Sequence, residues 1–167
     1  MKWLFGIIFV SLFTGCLGSD QIIVSNALTS FTPNTSTTNV IDDYITNNPS
    51  WQSACYSAHG STSQARLFYS FSTTKLRITS RGFQSDTCGG SSVDQQENFL
   101  YAIGSEIGTN TDIYTLTLVR TDLNPGEVLY GILKIDLDSN ILTPGDGYAI
   151  NLDAQSSLEL GSITLTP

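Results

Sequence analysis

The sequence predicts an all-β protein, an antiparallel β-sandwich or jelly roll of about eight strands with long N-terminal loops. The same pattern leaves a barrel open. Three observations lead there. Beyond residue 65 apolar and polar residues alternate with the period of half-buried strands. Turn-forming clusters interrupt the alternation roughly every ten to fifteen residues. No amphipathic helix pattern separates the alternating runs, which excludes a parallel α/β arrangement.

Taken in order, a first strand is expected at residues 21–25 (QIIVS), followed at 29–64 by a stretch rich in Ser, Thr, Asn and Pro that reads as long loops with one helical turn. Strands are then expected at 65–71, 75–81, 98–104, 112–121, 127–138, 147–153 and 157–166. Tyr114, Leu116 and Leu118 share one face, with Thr115, Thr117 and Val119 on the other. Leu133, Ile135 and Leu137 oppose Lys134, Asp136 and Asp138, and Tyr148, Ile150 and Leu152 follow the same rule. In the last run Leu158 and Leu160 are out of phase with Ile163 and Leu165. That slip places a bulge or bend at Gly161-Ser162.

The N-terminus decides which residues belong to the fold. Met1-Lys2 is a short basic start, and the apolar run at 3–13 has the length of a signal-peptide core, about half of what a membrane-spanning helix needs. Residues 12–16 (LFTGC) follow it: Leu12 and Phe13, then Thr14, a small Gly15 and Cys16. This stretch resembles the lipobox of prokaryotic lipoproteins. The resemblance implies cleavage before Cys16, lipidation of that cysteine and stable attachment to a membrane, since two or more acyl chains hold where one does not. In a Gram-negative host, Leu17 with no aspartate beside the cysteine implies the outer membrane. The alternative is an ordinary signal peptide cut at Gly15 or after Gly18-Ser19. The chain thus divides into a signal peptide at 1–15, a lipidated N-terminus and tether or first strand at 16–28, and a single domain at 29–167.

Charged residues make up 13% of the chain, about half the usual share. A formal charge of −8 excludes nucleic acid as a partner, because phosphate contacts need Lys and Arg to displace counterions. Cys55 and Cys88 lack the neighbouring cysteines or spaced histidines of a zinc site, and in an oxidising compartment they are expected to pair as a disulfide.

Three constellations carry candidate binding chemistry. Arg66, Lys75, Arg77 and Arg81 lie in one hairpin with no Asp or Glu among them, a docking stripe for an anionic lipid headgroup, cell-wall polymer or acidic protein, or else edge protection. Trp51, with Tyr44 and Tyr56 nearby, offers the flat faces a polysaccharide would stack on, or ordinary core packing. Asp136, Asp138, Asn140 and Asp146 present oxygen ligands that suit Ca²⁺, although Ile141 and Gly147 stand where an EF-hand needs glycine and glutamate. An acidic solvent face ending in a turn explains the same residues.

No catalytic residue is indicated. His59 is the only histidine, no serine lies in a nucleophile elbow, and phosphate loops and dinucleotide fingerprints are missing. The expected function is a membrane-anchored binding or structural module of the cell envelope without catalytic activity. Two alternatives stand beside it: an envelope glycan hydrolase working through paired carboxylates, and a filament subunit that exchanges β-strands. Oligomeric state is not set by the sequence.

Overall fold

The computed structural model describes residues 40–57, 63–108 and 111–167. Cys16, His59 and the strand expected at 21–25 lie outside the described residues. The described part contains a helix, α1 (Val40–Asn47), and nine strands: β1 (Ser50–Ser53), β2 (Tyr56–Ser57), β3 (Gln64–Phe71), β4 (Lys75–Phe83), β5 (Ser92–Glu106), β6 (Ile113–Arg120), β7 (Val128–Asp136), β8 (Ile141–Pro144) and β9 (Leu165–Thr166). From β3 to β9 each strand pairs antiparallel with the next, and β1 lies between β9 and β3. The result is a closed eight-stranded antiparallel barrel, with β2 added outside the ring on β3.

The expected sandwich or jelly roll is therefore corrected to a barrel. Alternation specifies that each strand has one buried face, and it does not specify whether two sheets or one closed sheet bury it. The deciding strand is β1, whose SWQS sequence has no apolar run. Gln52 pairs with Phe68 on one side and with Thr166 on the other, and that double pairing closes the ring.

Eight strands enclose a space that side chains can fill, and here they do. Trp51, Tyr69, Phe71, Leu76, Ile78, Phe99, Tyr101, Ile103, Leu116, Leu118, Leu129, Leu133, Ile135, Leu142 and Leu165 form one buried cluster. Helix α1 adds Ile41 and Ile45, one turn apart, to the same cluster. Tyr44 on α1 packs against Trp51, with ring centroids 6.0 Å apart, and its hydroxyl donates to Asn140 Oδ1 in the β7–β8 turn. The helix stops before Asn48-Pro49, because the residue before a proline is pushed out of helical geometry.

Elsewhere the strands follow the sequence closely in the middle of the chain and less so at its ends. β3, β4, β6 and β7 lie within two residues of their expected bounds. β5 begins six residues early, at Ser92, and residues 92–96 are exposed on both faces. With β2, β3 and β4 they form an extension beyond the ring. The Cys55–Cys88 disulfide, with Cα atoms 5.8 Å apart, joins the β4–β5 connection to the segment before β2.

The strand expected at 147–153 does not form. Only Ala149 pairs, in a single bridge with Tyr130, and Ile150 and Leu152 are 80% and 61% exposed. Pro144-Gly145-Asp146-Gly147 takes the chain off β8, with Gly147 at φ 127°, a backbone open to glycine and strained for other residues. Leu137, expected inside, is exposed because β7 ends at Asp136. The strand expected at 157–166 shrinks to β9 and a bridge between Leu160 and Gly145. The break falls at Gly161, whose N–H donates to the carbonyl of Pro144.

Tyr148 returns to the barrel at Gly131. A Cβ on Gly131 would lie 3.0 and 3.1 Å from the Tyr148 ring carbons, and the Tyr148 hydroxyl lies 3.4 Å from that of buried Tyr69. Gly131→Val is expected to expel the Tyr148 ring and to destabilise the fold by about 1–3 kcal/mol, the usual cost of overpacking. Equilibrium urea unfolding measures it, and an unchanged midpoint would show that Tyr148 moves aside freely.

Candidate functional site

The antiparallel register places one polar residue from each of four neighbouring strands in a row across the outside of the barrel. Ser50 on β1 pairs with Ser70 on β3, Ser70 with Arg77 on β4, and Arg77 with Asn98 on β5. Thr121, just past β6, donates its N–H to the Asn98 carbonyl and extends the row. Over this row opens a cleft of about 480 Å³, lined by Ser70, Ser72, Lys75, Arg77, Asn98, Thr121 and Asp122 above Phe71, Leu76 and Phe99.

Lys75 and Arg77 are both exposed on β4, and among the described residues neither forms an ion pair. Arg77 is nevertheless held. Its Nε donates to Asn98 Oδ1 at 3.3 Å, and the Asn98 amide donates from Nδ2 to Asp122 Oδ2 at 3.2 Å. Asp122 also accepts the N–H of Asn98 at 2.6 Å and that of Leu123 at 2.8 Å. Burial pushes the Asp122 carboxyl upward, but the Asn98 and Leu123 N–H groups, the Asn98 amide and the Arg120 guanidinium outweigh it and hold the group below the ordinary carboxylate range. The carboxylate thus spends its oxygens on the backbone and fixes Asn98, which in turn aims Arg77.

The four expected cations do not act together. Arg81 makes a bidentate pair with Asp94, both contacts at 2.7 Å, and its guanidinium lies 5.2 Å from the centre of the Phe68 ring. Arg66 lies opposite Arg81, half-buried, with its Nε buried and without a hydrogen-bond partner. Lys75 and Arg77 alone enter the cleft.

Of the two readings of the aromatic group, core packing holds for Trp51. β1 alternation turns Trp51 inward, where it is 1% exposed, so no ligand can stack on it. Tyr44 is half-buried against it. Tyr56 lies apart on β2, lining a separate cleft of about 420 Å³ with Ser53 and Thr164.

Nor does the acidic segment converge. Among the described residues no three His, Cys, Asp or Glu gather as metal ligands, so Asp136, Asp138 and Asp146 do not converge as a set. Asp136 accepts the N–H of Ser139 at 3.0 Å, and Asn140 receives the Tyr44 hydroxyl, so two of the four expected calcium ligands serve the β7–β8 turn.

The sequence reading passed over a second charged group. Arg120 bonds Glu97 at 2.6 Å and Glu127 at 3.0 Å, approaches Asp122 at 3.8 Å, and lies 5.1 Å from the Phe99 ring centre. Arg120 follows Leu116 and Leu118 in the inward phase of β6, and Glu97 precedes Phe99 and Tyr101 in that of β5. Charges in an otherwise apolar phase were the available signal. Burial, with the adjacent Tyr148 and Glu97, pushes the Tyr69 hydroxyl upward, so it stays protonated.

The cleft lining holds one carboxylate and neither histidine nor cysteine. It can supply positive charge and hydrogen bonds. Asp94, through Arg81, and Asp136, through the Ser139 N–H, are held low like Asp122. Folded values below the unfolded value of about 3.9 give stability that is present above it and lost as pH falls through the folded values. The melting temperature is therefore expected to drop below about pH 4. Asp122→Asn should lower it at neutral pH and flatten the acid limb, and an acid limb of unchanged steepness would remove Asp122 from this account.

Compared with known proteins, the chain matches no family model, no curated protein and no solved structure.

Proposed function

We propose that the protein is an exported, lipid-anchored module of the cell envelope that binds an anionic partner through Lys75 and Arg77 and performs no catalysis. One observation carries this reading. On a chain of net charge −8, a cleft of about 480 Å³ presents two cations that have no carboxylate partner among the described residues, one of them aimed by a dedicated hydrogen-bond chain. Elsewhere the basic side chains Arg81 and Arg120 are neutralised by the protein's own acids. The Cys55–Cys88 disulfide fits an oxidising compartment and leaves Cys16 as the odd cysteine, available for the anchor. The outer membrane is the destination in a Gram-negative host.

Binding to immobilised polyanions tests the reading. Lys75→Ala with Arg77→Ala should weaken retention about ten- to a hundredfold, the range for losing charge-assisted hydrogen bonds, and added salt should weaken that of the parent protein. Equal retention of parent and variant would refute it. Labelling with a fatty acid that Cys16→Ser abolishes tests the anchor. For the glycan-hydrolase alternative, the cleft offers no carboxylate pair.

One feature favours strand exchange as a second reading. Residues 92–96 of β5 pair with β4 on one side, and among the described residues no strand pairs with the other, since β6 begins its pairing at Phe99. Val93, 63% exposed, sits on that free edge. Sedimentation over a range of concentrations checks it: association that a proline at Gln95 abolishes would support exchange, and a monomer throughout would exclude it.

A further inference from the structure

We infer that the anionic partner is a linear acidic polysaccharide that lies across the strands on the outer face of the barrel. This rests on the proposed binding role of the Lys75–Arg77 cleft and adds the chemical class and the path of the ligand. A second cleft of about 270 Å³, lined by Ser50, Gln52, Phe68 and Pro167 among others, adjoins the first on the same outer face. Ser70 lines both clefts. The two together follow the row Ser50, Ser70, Arg77, Asn98 and Thr121, which spans the four gaps between β1, β3, β4, β5 and the end of β6 at about 4.8 Å each, a path of roughly 19 Å. That length suits an oligomer rather than a single small anion.

The chemistry along the path is mixed in a particular way. Hydroxyl and amide side chains from Ser50, Gln52, Ser70 and Thr121 offer both donors and acceptors, which neutral sugar hydroxyls need. Lys75 and Arg77 sit together at one place on the path and supply the charge that a uronate or sulfate would meet. A polyphosphate or an acidic polypeptide offers no ring hydroxyls to the Ser50–Gln52 end, which carries no cation, whereas every unit of an acidic sugar does.

Titration calorimetry of the intact chain with oligogalacturonate, dextran and polyglutamate separates the outcomes. Oligogalacturonate should bind, a single galacturonate should bind at least tenfold more weakly, and dextran should not be retained. Arg77→Ala should weaken the oligomer at least tenfold. Ser70→Trp, which blocks the junction at an exposed position, should weaken the oligomer more than the monomer. Thermal melts of both variants confirm that the fold is kept. Polyglutamate binding as tightly as oligogalacturonate, or oligomer and monomer binding alike, would overturn the polysaccharide and leave the anionic-ligand reading standing. No binding of any of these anions would overturn both.

Discussion

Trp51→Ala is expected to destabilise the protein by about 3–5 kcal/mol, the range for deleting a buried tryptophan side chain. Trp51 is the largest of the fully buried side chains, and it sits on the strand that closes the ring. Its removal leaves a cavity bordered by Tyr44 of α1, so the helix should loosen with it. Among the described residues its buried indole Nε1 has no hydrogen-bond partner. Trp51→Phe should therefore cost much less, because it keeps much of the apolar bulk and removes an unsatisfied donor. Urea unfolding distinguishes the two variants by midpoint. If Trp51→Ala shifted the midpoint no more than Trp51→Phe, β1 would not be holding the barrel closed.

The double variant Cys55→Ser with Cys88→Ser should cost about 3–4 kcal/mol, from the loop entropy that a bridge of this sequence separation removes from the unfolded chain. The loop it closes contains β2 and the whole β3–β4 hairpin. The extension beyond the ring has little buried surface of its own, so its amides should lose protection before those of β6 and β7. Hydrogen exchange with and without reductant measures both effects. Uniform loss of protection across β3 to β7 would mean that the bridge stabilises the whole barrel rather than its extension.

How far the sequence could be read depended on whether a residue's burial follows from its own neighbourhood. β6 and β7 were legible because Leu116, Leu118, Leu133 and Ile135 alternate with polar residues and face one core. Ser50 to Ser53 was not, since its place is set by partners far along the chain at Phe68 and Thr166. Tyr148, Ile150 and Leu152 alternate just as well as the true strands do, yet the turn at Gly145–Gly147 lifts them away from any ladder. Cys55 and Cys88 were paired correctly because neither has the neighbouring cysteine or spaced histidine that a zinc site needs. Of the site, Lys75 and Arg77 were readable as unneutralised cations on one strand face. Ser70, Asn98, Thr121 and Asp122 were not, because their grouping depends on the stagger between β3, β4, β5 and the end of β6.

The ring is joined at Leu165 and Thr166, far along the chain from their partners Ser53 and Gln52. Until they arrive, Gln52 and Ser53 can hold β3 but have nothing to grip on their opposite edge, and Leu142 lacks the neighbour at Leu165 that seals it. Closure is therefore a non-local step that the strands from β3 to β8 cannot complete among themselves. Deleting the three C-terminal residues should leave an unfastened sheet that is prone to stick to its own kind, so the tail acts as a clasp.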